Sequence, residues 1–126
     1  MLTEFARDLL DRNAFLVLCT LNPDGSPQSS VVWAKRDRDT VLFSTILGRR
    51  KTRNIQRDPR VSACFYDRDD PYRYVEVRGT VSMTTEGGPA LIQELSRRYE
   101  SKPFQESNAD NVRVVCRLTP SRVVER

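Results

Sequence analysis

The stretch Arg73–Thr84, RYVEVRGTVSMT, alternates without a break. Val75, Val77, Gly79, Val81 and Met83 face one way; Tyr74, Glu76, Arg78, Thr80 and Ser82 face the other. Period two over this length marks a β-strand with one buried face. Gly79 on the apolar side points to a bend or to the close approach of another backbone. Neighbouring runs keep the period. Val61–Tyr66 sets Val61, Ala63 and Phe65 against Ser62, Cys64 and Tyr66, and a charged loop, Asp67–Tyr72, follows it. Further upstream, Ala14–Leu21 is apolar on both faces, and Gln28–Lys35 and Thr40–Ile46 alternate. Asn22-Pro23-Asp24-Gly25 is a strong turn signal, since Pro sets one dihedral and Gly supplies positive φ. Arg36–Asp39 makes a polar hairpin loop. Downstream, Val112–Leu118 is a sixth strand, which Thr119-Pro120 should break before a short segment, Arg122–Val124.

Three helices interrupt the strands. Thr3–Asn13 gathers Phe5, Ala6, Leu9 and Leu10 on one face, with Thr3 placed to cap it. Arg49–Arg57 ends at Asp58-Pro59, because the residue before Pro is pushed out of the α region. Thr85–Glu100 has Pro89 near its first turn and an apolar stripe of Leu91, Ile92, Leu95 and Tyr99. The order is helix, three strands, helix, two strands, helix, strand. Parallel units need a helix between successive strands, whereas most strands here follow each other through short turns. The chain therefore reads as one mainly β (α+β) domain of 126 residues. It should be a six-stranded antiparallel barrel, small and closed or split, with flanking short helices and a meander as its first three strands.

Between Gly48 and Arg60 the chain carries six bases (Arg49, Arg50, Lys51, Arg53, Arg57, Arg60) and one acid, Asp58. The net +5 of this segment exceeds the +4 of the whole protein. Clustered bases after a Gly at a helix start make a good anion site, because the N–H groups and the macrodipole both favour negative charge. A solvated basic face accounts for the charge equally well.

Other chemistries are excluded or narrowed. The sequence contains no histidine, which removes Ser-His-Asp and Cys-His catalysis and most transition-metal sites. Cys19, Cys64 and Cys116 are far apart and lie in apolar runs, which suits reduced buried thiols rather than a disulfide framework or a zinc site; no metal is expected. A reactive group would then come from a cofactor. No apolar run approaches the ~20 residues of a membrane span, and the N-terminus has no signal core, so no membrane partner and a cytoplasmic location are expected. The bases have no aromatic residue among them, so the stacking platform of a single-strand nucleic-acid binder is missing.

Four segments, in order, carry a resemblance: Leu18–Ser30 (LCTLNPDGSPQSS), Arg50–Ser62 (RKTRNIQRDPRVS), Glu76–Val81 (EVRGTV) and Arg117–Val123 (RLTPSRV). Together they resemble the split β-barrel proteins of the pyridoxamine-5′-phosphate oxidase-like superfamily. The nearest branch is the one that uses the deazaflavin coenzyme F420, where Lys-Thr-Arg-Asn followed by Asp-Pro-Arg is typical.

The resemblance implies a homodimer with two cofactor sites at its interface and a small-molecule substrate. It implies that Arg49, Arg50, Lys51 and Asn54 hold the cofactor phosphate and anionic tail. Arg supplies a forked donor set and Lys a point charge. The ring would lie against Gln28, Ser29, Ser30, Val31, Val32 and Trp33, although Trp33 reads first as a core aromatic. Ser44 and Thr45 would bond the ribityl chain or the phosphate, or are plain strand residues.

The implied activity is hydride transfer between reduced F420 and a small organic acceptor. An FMN flavoprotein is the alternative on the same fold, and a non-catalytic cofactor or tetrapyrrole carrier is another. The resemblance does not extend to the C-terminal substrate-phosphate contacts of true pyridoxamine phosphate oxidases, so oxidation of pyridoxamine phosphate is not expected.

Overall fold

The computed structural model describes residues 1–126. Its elements are α1 (Glu4–Asp11), β1 (Leu16–Leu21), β2 (Pro27–Val32), β3 (Ala34–Asp37), β4 (Thr40–Ile46), α2 (Arg50–Arg57), β5 (Arg60–Asp67), β6 (Asp70–Thr84), α3 (Gly88–Glu100) and β7 (Arg113–Glu125). All strand pairs are antiparallel, in one sheet of order β2-β1-β5-β6-β7-β4-β3. The sheet curls into a split barrel. It has seven strands where the sequence pattern counted six.

The extra strand comes from the run Gln28–Lys35, which is not one strand. It divides at Trp33, and its halves lie at opposite edges of the sheet. β2 pairs with β1, and β3 pairs with β4, so the first half is two hairpins and not a meander. Tyr99 on α3 holds the division. Its hydroxyl accepts the Ala34 N–H at 3.0 Å and lies 2.7 Å from the Ala14 carbonyl, to which it donates. Trp33 stacks on the Tyr99 ring, with centroids 5.6 Å apart.

Thr119-Pro120 does not break the last strand either. Pro120 sits opposite Gly79 at a register shift, where the missing N–H is no loss. A Cβ at Gly79 would lie 2.1 Å from the Thr119 carbonyl oxygen, so the close approach expected there is real. The expected loop Asp67–Tyr72 is tighter than read, because β6 begins at Asp70, which pairs with Asp67.

The main core of 21 residues fills the barrel, with Phe43 and Phe65 fully buried at its centre. α1 covers one end through Ala6, Leu9 and Leu10, and the Thr3 hydroxyl caps it by accepting the Ala6 N–H. α3 lies outside the barrel, where Leu91 and Leu95 pack on Leu42 of β4.

Candidate functional site

The site centres on the junction between β4 and α2. Gly48, at φ +94, turns the chain there. Arg49 is the N-cap of α2, yet no side chain caps the helix and its first turn has no acidic residue. The leading N–H groups are therefore left for solvent or an anion. Arg49 and Arg50 are exposed and Lys51 is half-buried. None of Arg49, Arg50, Lys51 and Arg53 has an ion-pair partner. Burial pushes the Lys51 ammonium below the ordinary lysine value, and the positive charges of Arg49 and Arg113 push it further the same way. Cations at a helix N-terminus oppose the macrodipole.

The inward side of α2 is polar, and this was not legible in its single apolar residue, Ile55. Thr52 is fully buried; its hydroxyl donates to the Ile46 carbonyl at 2.7 Å and meets the Thr45 hydroxyl at 3.0 Å. Asn54 is also fully buried. Its amide donates to Thr20 Oγ1 and to Asn22 Oδ1, each at 3.0 Å. Thr20 in turn donates to Gln28 Oε1 at 2.8 Å. A relay of side-chain hydrogen bonds thus joins α2 to β1 and β2.

The side chains of Asn54, Thr45 and Gln28, all expected at the cofactor, lie in these internal hydrogen bonds. Thr20, Asn22 and Thr52 are the partners that the sequence did not single out.

Other expected residues divide between surface and core. Ser29 and Val31 are exposed on β2, and Val31 is 65% exposed. Ser30 Oγ is buried without a hydrogen-bond partner. The far edge of β2 has no neighbouring strand, so backbone N–H and C=O groups are available along it. Val32 belongs to the core, and Trp33 is committed to Tyr99. Of the two readings of Trp33, the aromatic packing role is the one its contacts support.

Ser44 leads to a group that sequence reasoning missed. Arg113 Nη1 donates to Ser44 Oγ at 3.4 Å, while Nε and Nη2 grip Glu106 at 2.6 and 3.1 Å. The guanidinium also lies 4.7 Å from the Phe104 ring centroid. The fork from Arg113 holds the Glu106 carboxyl below its usual range. An acid seven residues before a strand-leading Arg was the available signal.

The comparisons with known proteins agree with this architecture. The family model described as Pyridoxamine 5′-phosphate oxidase matches residues 2–126. The chain belongs to that family. A pyridoxine/pyridoxamine 5′-phosphate oxidase of Rubrobacter xylanophilus is 40% identical over 79 residues, which are 62% of this chain and 36% of that protein. The match thus spans about a third of that relative's length. A solved structure named F420 reductase is 34% identical, covers 98% of both chains and superposes with a TM-score of 0.86. A conserved hypothetical protein of Mycobacterium tuberculosis shares the fold at 24% identity, with a TM-score of 0.80 over 99% of this chain and 84% of its own. The family members so named are redox enzymes. No helix is long and apolar enough to cross a membrane.

Proposed function

We propose that this protein is an F420-dependent oxidoreductase that moves a hydride between the reduced deazaflavin and a small organic acceptor. The observation that carries the reading is the uncapped α2 N-terminus, where Arg49, Arg50 and Lys51 gather without an ion-pair partner. The similarity to the F420 reductase along nearly the whole chain supports it.

In this reading the exposed Arg49 and Arg50 bind the phosphate and the carboxylates of the tail, and Lys51 adds a desolvated point charge. The row of bases suits a polyanionic tail better than a lone phosphate. The open edge of β2 offers backbone donors and acceptors to the ring. Bound reduced F420 supplies the hydride. The chain's contribution is to orient the ring and to neutralise the tail.

A homodimer with the cofactor at its interface belongs to the same proposal. The exposed side chains of Val31 and Tyr72 are apolar surface that a second copy would cover. FMN is the second reading, favoured by the 40% identity to a pyridoxamine phosphate oxidase.

Calorimetric titration with F420 and with FMN tests the choice. Micromolar or tighter F420 binding with weak FMN binding is expected. Tight FMN binding without F420 affinity would replace the first reading by the second.

A further inference from the structure

The outer face of the sheet holds a cavity of about 500 Å3, whose lining includes none of the α2 residues Arg50–Arg57. It is lined by Cys19, Arg60, Ser62, Arg78, Thr80 and Ser121 among others, and its size falls within the range of small-molecule sites. The strand registers relate it to β2. Ser29 pairs with Cys19, Cys19 with Ser62, and Ser62 with Arg78. Directly opposed residues share a face, so these four side chains form one row across β2, β1, β5 and β6. With strands about 4.8 Å apart, Arg78 lies roughly 14 Å along the sheet from Ser29.

We propose that this cavity binds the acidic end of the hydride acceptor, a small organic carboxylate laid along the row with its charge on Arg78 and its reacting end toward β2. This deepens the function proposed above, and it rests on the reading that places the cofactor ring against β2.

The charges around the cavity favour such a ligand. Arg78 and Arg60 approach it diagonally from neighbouring strands, since Arg60 pairs with Thr80 and Ser62 with Arg78. Like charges so placed repel, and a carboxylate between them relieves the repulsion. Arg60 is well occupied, with Nε and Nη2 on Asp58 at 3.0 and 2.7 Å. Arg78 has one contact, to Glu76 at 3.0 Å, between partly exposed side chains. An exposed pair of this kind contributes little, so a ligand carboxylate can replace Glu76 cheaply. The Ser62 and Thr80 hydroxyls line the same cavity and can donate to the second carboxylate oxygen.

The test is a titration of the cofactor-free protein with benzoate, followed by backbone amide chemical shifts. Saturable shifts at Ser62, Arg78 and Thr80 are expected, with the uncharged benzamide at least tenfold weaker. Arg78→Gln should weaken benzoate at least tenfold, and Glu76→Gln should tighten it by about threefold through removal of the competing carboxylate. Repeated with saturating F420, benzoate affinity should change by less than threefold.

Equal binding of benzoate and benzamide, an unaffected R78Q, or shifts confined to Arg49–Lys51 would overturn the proposal. Competition between benzoate and F420 would overturn it too, by assigning the cavity to the cofactor. If benzoate senses Arg78 but neither F420 nor FMN binds, the cofactor reading fails. The acceptor role falls with it, while the carboxylate site itself stands.

Discussion

Replacing Asn54 by Ala separates the two faces of α2. In the native protein the Asn54 amide makes two donor bonds of 3.0 Å, to Thr20 and Asn22, at full burial. Each is worth about 1 kcal/mol, and the truncation also leaves a buried acceptor unpaired, so the expected loss is about 2–3 kcal/mol. For a domain of this size that lowers the melting temperature by roughly 8–12 °C. Trp33 is the only tryptophan and stacks on Tyr99, so its fluorescence reports unfolding without a label. Urea titration should show a lower midpoint with an unchanged slope. Cofactor affinity of the folded fraction should change by less than threefold. Asn54→Asp should be worse than Ala, because it aims a charged acceptor at the Asn22 oxygen. A destabilisation below about 0.5 kcal/mol, the range of an ordinary surface substitution, together with a tenfold loss of affinity would refute the reasoning. Asn54 would then touch the ligand, and the relay would not be what holds the helix.

Lys51→Ala should show the opposite pattern: affinity for the cofactor falls by about 1.5–3 kcal/mol, the range for bonds to charged groups, with the melting temperature unchanged or raised. The same lysine predicts a pH dependence. Its value in the ligand-free fold lies below the ordinary 10.5, so at intermediate pH the unfolded chain holds more protons and stability rises with pH up to that value. Anion affinity should fall as the pH rises toward 10.5, and Lys51→Arg should abolish the fall, as calorimetry from neutral pH up to that value would show. Cys116 is fully buried, with its thiol pushed up to about 12, whereas Cys19 and Cys64 are partly exposed. A thiol-reactive chromophore should therefore label at most two cysteines in the native protein and three in urea. Gly79→Ala forces a Cβ against the Thr119 carbonyl and should cost about 3 kcal/mol by overpacking, read as a lower urea midpoint.

What the sequence disclosed and what it withheld follow from the range of the interactions. The alternation of Arg73–Thr84 is local, and it survives as β6. The charge of Arg49–Lys51 is local too, and it survives as a cluster of two exposed arginines and a half-buried lysine. The division of Gln28–Lys35 is not local. It depends on Tyr99, whose hydroxyl meets Ala34 across 65 residues, and Val32 and Ala34 keep the same inward alternation on either side of it. A period-two pattern states which face a residue takes and is silent about which strand lies beside it. The internal bonding of Asn54 was hidden for a similar reason. Its motif places it one turn after two bases, but its partners Thr20 and Asn22 are 34 and 32 residues away. Buried polar pairs of that separation leave no periodicity to read.

The two faces of α2 have a joint consequence. An eight-residue helix is marginal by itself in water, and the bases in its first turn oppose its dipole, each at roughly 0.3–1 kcal/mol. It persists because Thr52, Asn54 and Ile55 fasten it from below. A first-turn acid would have eased the repulsion, and none is present. The unfavourable charge is thus retained with no ion-pair partner on Arg49, Arg50 or Lys51, and a bound anion would relieve it. Relief of that repulsion enters through Kd, so ligand binding should stabilise the protein by the amount the linkage sets, about 2.7 kcal/mol at a ligand concentration 100 times Kd. In Lys51→Ala, measured at the wild-type saturating concentration, that increment should shrink in proportion to the logarithm of the lost affinity. In Asn54→Ala it should persist, because the cations remain while the fastening is weakened.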